Sequence, residues 1–168
     1  MSYVVVRVWV SRFRKMSPGH VSLAITPKST KPEDGYVSFA PAQQGRISGP
    51  GRFYSSADDY GEYVQPSDDP PRGCWIGKIY GLDAASMLSS FQQAIKHPTH
   101  YSPFNECATQ VHRYLVIGGA DRFASRWSRN VIATWSPDDV EDYAKSIVHH
   151  TRGLGSVGHK FVGAGTIL

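Results

Sequence analysis

Two residues have the types and surroundings that covalent catalysis needs. Cys107 follows Asn105, a good helix cap, in a run where Cys107, Val111, Tyr114 and Leu115 fall on one helical face and Gly118-Gly119 supplies the stop. The thiol therefore lies in the first turn of a helix. There, unpaired backbone N–H groups and the positive end of the helix dipole lower a cysteine from its free value of about 8.5. A thiolate nucleophile needs an imidazole to share its proton and later protonate the leaving group, and His20 at the mouth of the strand-like run HVSLAIT is the partner we expect. The Cys107 N–H is a candidate oxyanion donor. Against this stands a plainer reading, in which Cys107 packs as a small core hydrophobe with Val111 and Leu115, and His20 is an ordinary strand-edge histidine.

The remaining candidates are weaker. His97 and His100 flank a proline turn, His149-His150 close a helix, and none has the paired spacing of a zinc site; His112, five residues from Cys107, lies off its face. No metal or other cofactor is expected. Cys74 opens a buried strand beside Trp75 and reads as an inert core thiol, although two cysteines leave a disulfide open, and the catalytic reading needs Cys107 free. Gly49 and Gly51 do not form a phosphate loop after a strand.

The elements that must hold these groups follow from period and punctuation. Tyr3–Val10 (YVVVRVWV) reads as a strand buried on both faces, His20–Thr26 as an alternating strand, Tyr36–Ala40 as a short third strand and Cys74–Tyr80 as a fourth. From 41 to 73 the density of Gly, Pro, Ser and Asp predicts a long loop, a flap over the site. Asp83 caps a helix with Met87, Leu88, Phe91, Ala94 and Ile95 on one stripe, stopped at His97-Pro98. Asn105 caps the cysteine helix. Ser136 caps a third, with Pro137 first and Asp138 and Asp139 in its first turn, and a short last strand falls near Lys160–Val162. Strands and helices of this kind predict an α+β fold, and 168 residues fit one domain spanning 1–168.

Composition narrows the function classes. With 40% hydrophobic and 19% charged residues the chain is globular, and no run approaches the ~20 apolar residues of a membrane span. The opening MSYVVVRVWVSRFRK puts basic residues after the apolar stretch, the reverse of a secretory signal, so we expect either a cytoplasmic protein or one exported without a cleavable leader. The net charge is +4, yet Lys and Arg are scattered, only Arg12, Arg14 and Lys15 cluster, and no nucleic-acid partner is expected. No apolar stripe is left over, which predicts a monomer.

Taken together and in order, GHVSLAI (19–25), YVSFAP (36–41) and YSPFNECATQVHRYLVIGG (101–119) resemble the circularly permuted branch of the NlpC/P60 papain-like superfamily, where the histidine strand precedes the cysteine helix. The helix WSPDDVEDYA looks like similar helices in small bacterial secreted effectors. The resemblance implies a papain-like antiparallel sheet packed on the cysteine helix, with Cys107 as nucleophile and His20 as base. It puts the third, orienting residue on the strand after the histidine, where Ser38 is the best-placed polar side chain, although a His, Asn, Asp or Glu is more common there; Asp34 and Gln43 are the alternatives. Tyr101, six residues before Cys107, takes the place of an oxyanion-hole side chain or of a packing aromatic, and Asn105 reads as a cap.

What the resemblance implies for function is a cysteine-dependent amide hydrolase, a peptidoglycan amidase or endopeptidase acting as an antibacterial toxin delivered by a type VI-like route, with an immunity or delivery protein as partner. The alternatives are an acyltransferase, thioesterase or deamidase acting on a host lipid or protein, and a non-catalytic binding domain.

Overall fold

In a computed structural model of the chain, the described residues are 3–9, 19–43, 46–63, 74–124, 135–151 and 160–162. In chain order they form β1 (Tyr3–Trp9), β2 (His20–Ala24), β3 (Tyr36–Val37), β4 (Phe39–Pro41), β5 (Gly49–Phe53), α1 (Ser56–Tyr63), β6 (Cys74–Tyr80), α2 (Ala84–Ala94), β7 (His100–Tyr101), α3 (Cys107–Ile117), α4 (Pro137–Thr151) and β8 (Lys160–Val162). The fold is α+β. A five-stranded antiparallel sheet has the order β3-β2-β1-β6-β8, and a small antiparallel sheet the order β4-β5-β7.

β1 sits at the centre because its sequence suits burial on both faces. Val4, Val6 and Val8 join Val21, Leu23 and Ile79, and this face packs with Phe91 of α2, Val111 and Leu115 of α3, and Tyr143 and Ile147 of α4. Val5, Ala24 and Tyr36 form a second cluster. Alternate side chains point to opposite sides of a strand, so one run of valines seeds both clusters. Each fully buried aliphatic contributes about 1.5–3 kcal/mol. The register sets Trp9 of β1 opposite both His20 and Cys74, which fixes the level of His20 in the sheet.

The helix ends follow their capping residues, with one exception. Asp83 accepts the Ser86 N–H at 3.0 Å, and at α4 Ser136 and Asp139 exchange reciprocal bonds of 2.9 and 3.2 Å. At α3 the cap is Glu106, not Asn105. Asn105 is engaged elsewhere, donating from Nδ2 to the His100 carbonyl at 2.6 Å and to Thr99 Oγ1 at 2.9 Å, which ties the turn before α3 to the strand leading into it.

The stretch 41–73 is not a uniform loop. It contains β5 and α1. β5 (GPGRF) has poor strand propensity of its own and is held as the middle strand between β4 and β7. Gly51 is required there, because a Cβ would lie 2.1 Å from the Phe39 ring and 2.5 Å from the Thr99 carbonyl. α1 begins with a reciprocal pair, Asp58 Oδ2 accepting the Ser55 N–H at 2.8 Å and Ser55 Oγ accepting the Asp58 N–H at 3.3 Å. The expected strand Tyr36–Ala40 divides at Ser38, whose carbonyl accepts the Tyr54 N–H at 2.9 Å, so β3 and β4 belong to different sheets.

Candidate functional site

Cys107 is the first residue of α3, and its backbone N–H has no carbonyl one turn earlier to bond to. His20 is the first residue of β2. Both are buried, at 5% and 2% exposure, both cysteines are free thiols, and the Cys107 and His20 side chains are hydrogen-bonded to each other. Strand and helix thus bring together two groups far apart in sequence.

A third group completes the arrangement, and it is Asp59 of α1. Its Oδ1 lies 3.3 Å from His20 Nε2 and accepts the Ser38 hydroxyl at 2.6 Å, while Oδ2 accepts the Tyr36 hydroxyl at 2.8 Å. Because Tyr36 donates to Asp59, the 2.8 Å bond between Tyr36 and Ser22 has Ser22 as donor. In the same way Ser38 gives its hydrogen to Asp59 and accepts from His20 Nε2 at 2.9 Å. The direction of every bond follows from the carboxylate, and the imidazole carries its hydrogen on Nε2. Asp59 is 3% exposed, a position tolerable for a carboxylate only because of these donors.

Burial alone would push the His20 imidazole down. The charges of Cys107 and Asp59, with hydrogen bonds to both, outweigh it and raise the group to about 10. His20 is therefore held as imidazolium beside a sulfur at a helix N-terminus, the surroundings in which a cysteine attacks as thiolate. Trp9, across the register, lays its ring 5.5 Å from the imidazole at 33° and restricts its tilt.

Glu106, immediately before Cys107, is half-buried. Burial raises its carboxyl to about 7, against the pull of His20. Tyr101 is half-buried near Cys107, its ring 5.7 Å from that of Phe39, and it is pushed up by burial and by the Cys107 and Glu106 charges. Its packing on Phe39 is the role the contacts support. Gln110, buried one turn into α3, donates to Asn105 Oδ1 at 2.5 Å.

The other sequence candidates lie elsewhere. Asp34 is exposed and accepts the Thr30 and Lys31 N–H groups at 2.8 Å each, and Gln43 is exposed, so neither reaches His20. Ser38 does touch the imidazole, as a bridge to Asp59. His112 stacks on Trp135 at 3.6 Å and is pushed down to about 4 by burial, and the buried Cys74 is pushed up to about 12 for the same reason. Asp59 was missed because it falls in the stretch read as loop. The signal available was Ser55 and Asp58 three residues apart, the spacing of a capping box, with an acid following. Arg12, Arg14 and Lys15, the one basic cluster in the sequence, lie outside the described residues.

A family model of the IcsB middle domain matches residues 66–163, more than half of the chain. The chain belongs to the IcsB middle-domain family. The match links this IcsB-family domain to secreted effectors. The matched span includes Cys107 and α3, whereas His20, Ser38 and Asp59 precede it. No curated protein and no solved structure matches the chain. Among the described residues, no helix is long and apolar enough to cross a membrane.

Proposed function

We propose that this IcsB-family domain is a thiol enzyme of the permuted papain-like type, with Cys107 as nucleophile, His20 as acid and base and Asp59 as the group that orients and charges His20. The observation that carries the reading is the continuous hydrogen-bonded line from Cys107 through His20 to Asp59. In the reaction, the Cys107 sulfur, its proton already held on His20, adds as thiolate to an amide carbonyl. The oxyanion meets the unpaired Cys107 N–H, and collapse expels an amine that takes its proton from His20. Water, deprotonated by His20, then cleaves the thioester, releasing the carboxylic acid and restoring the thiolate beside the imidazolium. The substrate we assign is an amide of peptidoglycan stem peptides, on the family resemblance, and the role is that of a secreted antibacterial effector.

A second reading changes the acceptor and the target. The nearly complete burial of the sulfur and the aromatic Tyr101 and Phe39 beside it favour an apolar acyl group on Cys107, passed to a protein or lipid of the target cell.

The test is the rate of Cys107 alkylation by iodoacetamide from acid to alkaline pH in the wild type and in His20→Ala, paired with hydrolysis of purified peptidoglycan. Rapid alkylation in acid that collapses in the variant is the expected result. A thiol that alkylates only on unfolding would overturn both readings. Reactive Cys107 with intact peptidoglycan would select the second.

A further inference from the structure

Among the described residues two large hydrophobic side chains stand in solvent, Ile47 at 81% and Phe104 at 69% exposure. Single exposed apolar residues are ordinary. These two are brought together by the fold. β5 and β7 run antiparallel with Gly49 opposite Tyr101, so the chain entering β5 and the chain leaving β7 emerge at the same end of the small sheet. Ile47 lies two residues before that pair and Phe104 three after it, in the turn that leads into Cys107.

The Phe104 turn is built to keep its shape. Ser102 and Asn105 exchange backbone bonds of 3.3 and 2.9 Å, and the Phe104 N–H donates to Ser102 Oγ at 3.3 Å. Asn105 then fastens the turn to the His100 carbonyl. Held this way, Phe104 does not fold back onto the core, and its apolar area stays exposed until something covers it.

The exposed charge on the two turns has one sign, and Glu106, the acid that follows the Phe104 turn, is half-buried. The segments 39–53 and 96–105, which supply the small sheet and both turns, contain Arg46, Arg52 and Lys96 and not one Asp or Glu. Arg46, next to Ile47, is exposed, as are Arg52 and His100. Apolar tips ringed by cations match a bilayer carrying anionic headgroups, which takes the side chains below the headgroups and pairs the cations with phosphates and carboxylates. A protein partner would need a wider apolar area than two side chains offer.

We propose that the Ile47 and Phe104 turns form a lip that seats this domain on an anionic phospholipid surface, with Arg46 in the headgroup layer. The inference goes beyond the proposed chemistry and does not depend on it. Its consequence for the site is that the turn leading into Cys107 lies against the membrane.

The experiment is flotation of the full 168-residue chain with vesicles of phosphatidylcholine alone and of phosphatidylcholine mixed with phosphatidylserine. The proteins are the wild type, Ile47→Ser, Phe104→Ser and Arg46→Gln, each first shown to be folded by circular dichroism. We expect binding that requires phosphatidylserine, falls about tenfold or more with either apolar substitution and about fivefold with Arg46→Gln, and weakens with salt. A wild type that ignores both vesicle types overturns the proposal. So does binding that survives Ile47→Ser and Phe104→Ser unchanged, which would mark general attraction of a basic protein. Cys107→Ser is expected to float like the wild type, so failure of the enzyme reading leaves this result readable.

Discussion

Replacing Asp59 by asparagine keeps the volume of the side chain and removes its charge. The perturbation is local, because both Tyr36 bonds can reverse: Tyr36 then accepts from the new amide and donates to Ser22, so the hydroxyl network survives with two directions changed. What does not survive is the partner 3.3 Å from His20 Nε2. The bare attraction of two charges at such a distance is about 4 kcal/mol at an effective dielectric of 20, but a hydrogen bond to a charged group, net of desolvation, contributes about 1.5–3 kcal/mol. Taking the net figure, the imidazolium loses roughly one to two pKa units of support, about 1.4 kcal/mol each. His20 should then titrate well below its wild-type value of about 10, and alkylation of Cys107 on the acid side should slow roughly ten- to a hundredfold. The assay is the pH profile of iodoacetamide modification followed by intact mass, with denaturant melts to show that the variant is folded. A profile that superimposes on the wild type would refute the assignment of Asp59 as the group that charges His20. Asp59→Ala is the harsher control, since it strips an acceptor from two buried hydroxyls and the imidazole together, and it should lower stability by several kcal/mol, roughly 1–3 for each group left unpaired.

Three further outcomes follow from particular contacts. Burial holds the Glu106 proton more tightly in the folded chain, at about 7 against 4.5 unfolded, so stability present below pH 4.5 is lost as pH rises through 7; Glu106→Gln should remove that loss, about 1–2 kcal/mol after solvent screening, in denaturant melts at several pH values. His112 moves the other way: pushed from 6.5 to about 4, it supplies stability present above pH 6.5 that is lost as pH falls through 4, and His112→Phe, which keeps a ring against Trp135, should flatten the dependence by about 1–2 kcal/mol in the same melts. Gly51→Ala forces a methyl into Phe39 and the Thr99 carbonyl and should cost about 1–3 kcal/mol by thermal denaturation.

How much of this could be read from the chain differs from element to element. The run of valines in β1, the apolar stripe of α2 and the Ser136-Pro137 start of α4 are signals in which pattern and punctuation agree, and they form where expected. Position made Cys107 and His20 candidates, since a helix start and a strand start are readable without knowing how they pack, and the family resemblance paired them. β5 and α1 were not legible, because Gly-Pro-Gly-Arg-Phe is a strand only between two neighbours, and Ser56–Tyr63 is too polar to show an apolar stripe. Asp59 was hidden with them. Its importance lies wholly in long-range contacts, to Tyr36, Ser38 and His20, and no local pattern encodes those. Ser38 was found for the right location, next to the imidazole, while the charge that a bare hydroxyl cannot supply comes from behind it.

Cys107 and the groups that would arm it come from different parts of the chain: His20, Ser38 and Asp59 all precede residue 66, and Cys107 follows it. Reactivity is thus a property of the finished fold. In an extended polypeptide Cys107 is a commonplace thiol with no base at hand. Folding of the chain would switch it on. The same division means that a fragment cut at the edge of the matched region would keep the sulfur and lose the groups that would arm it.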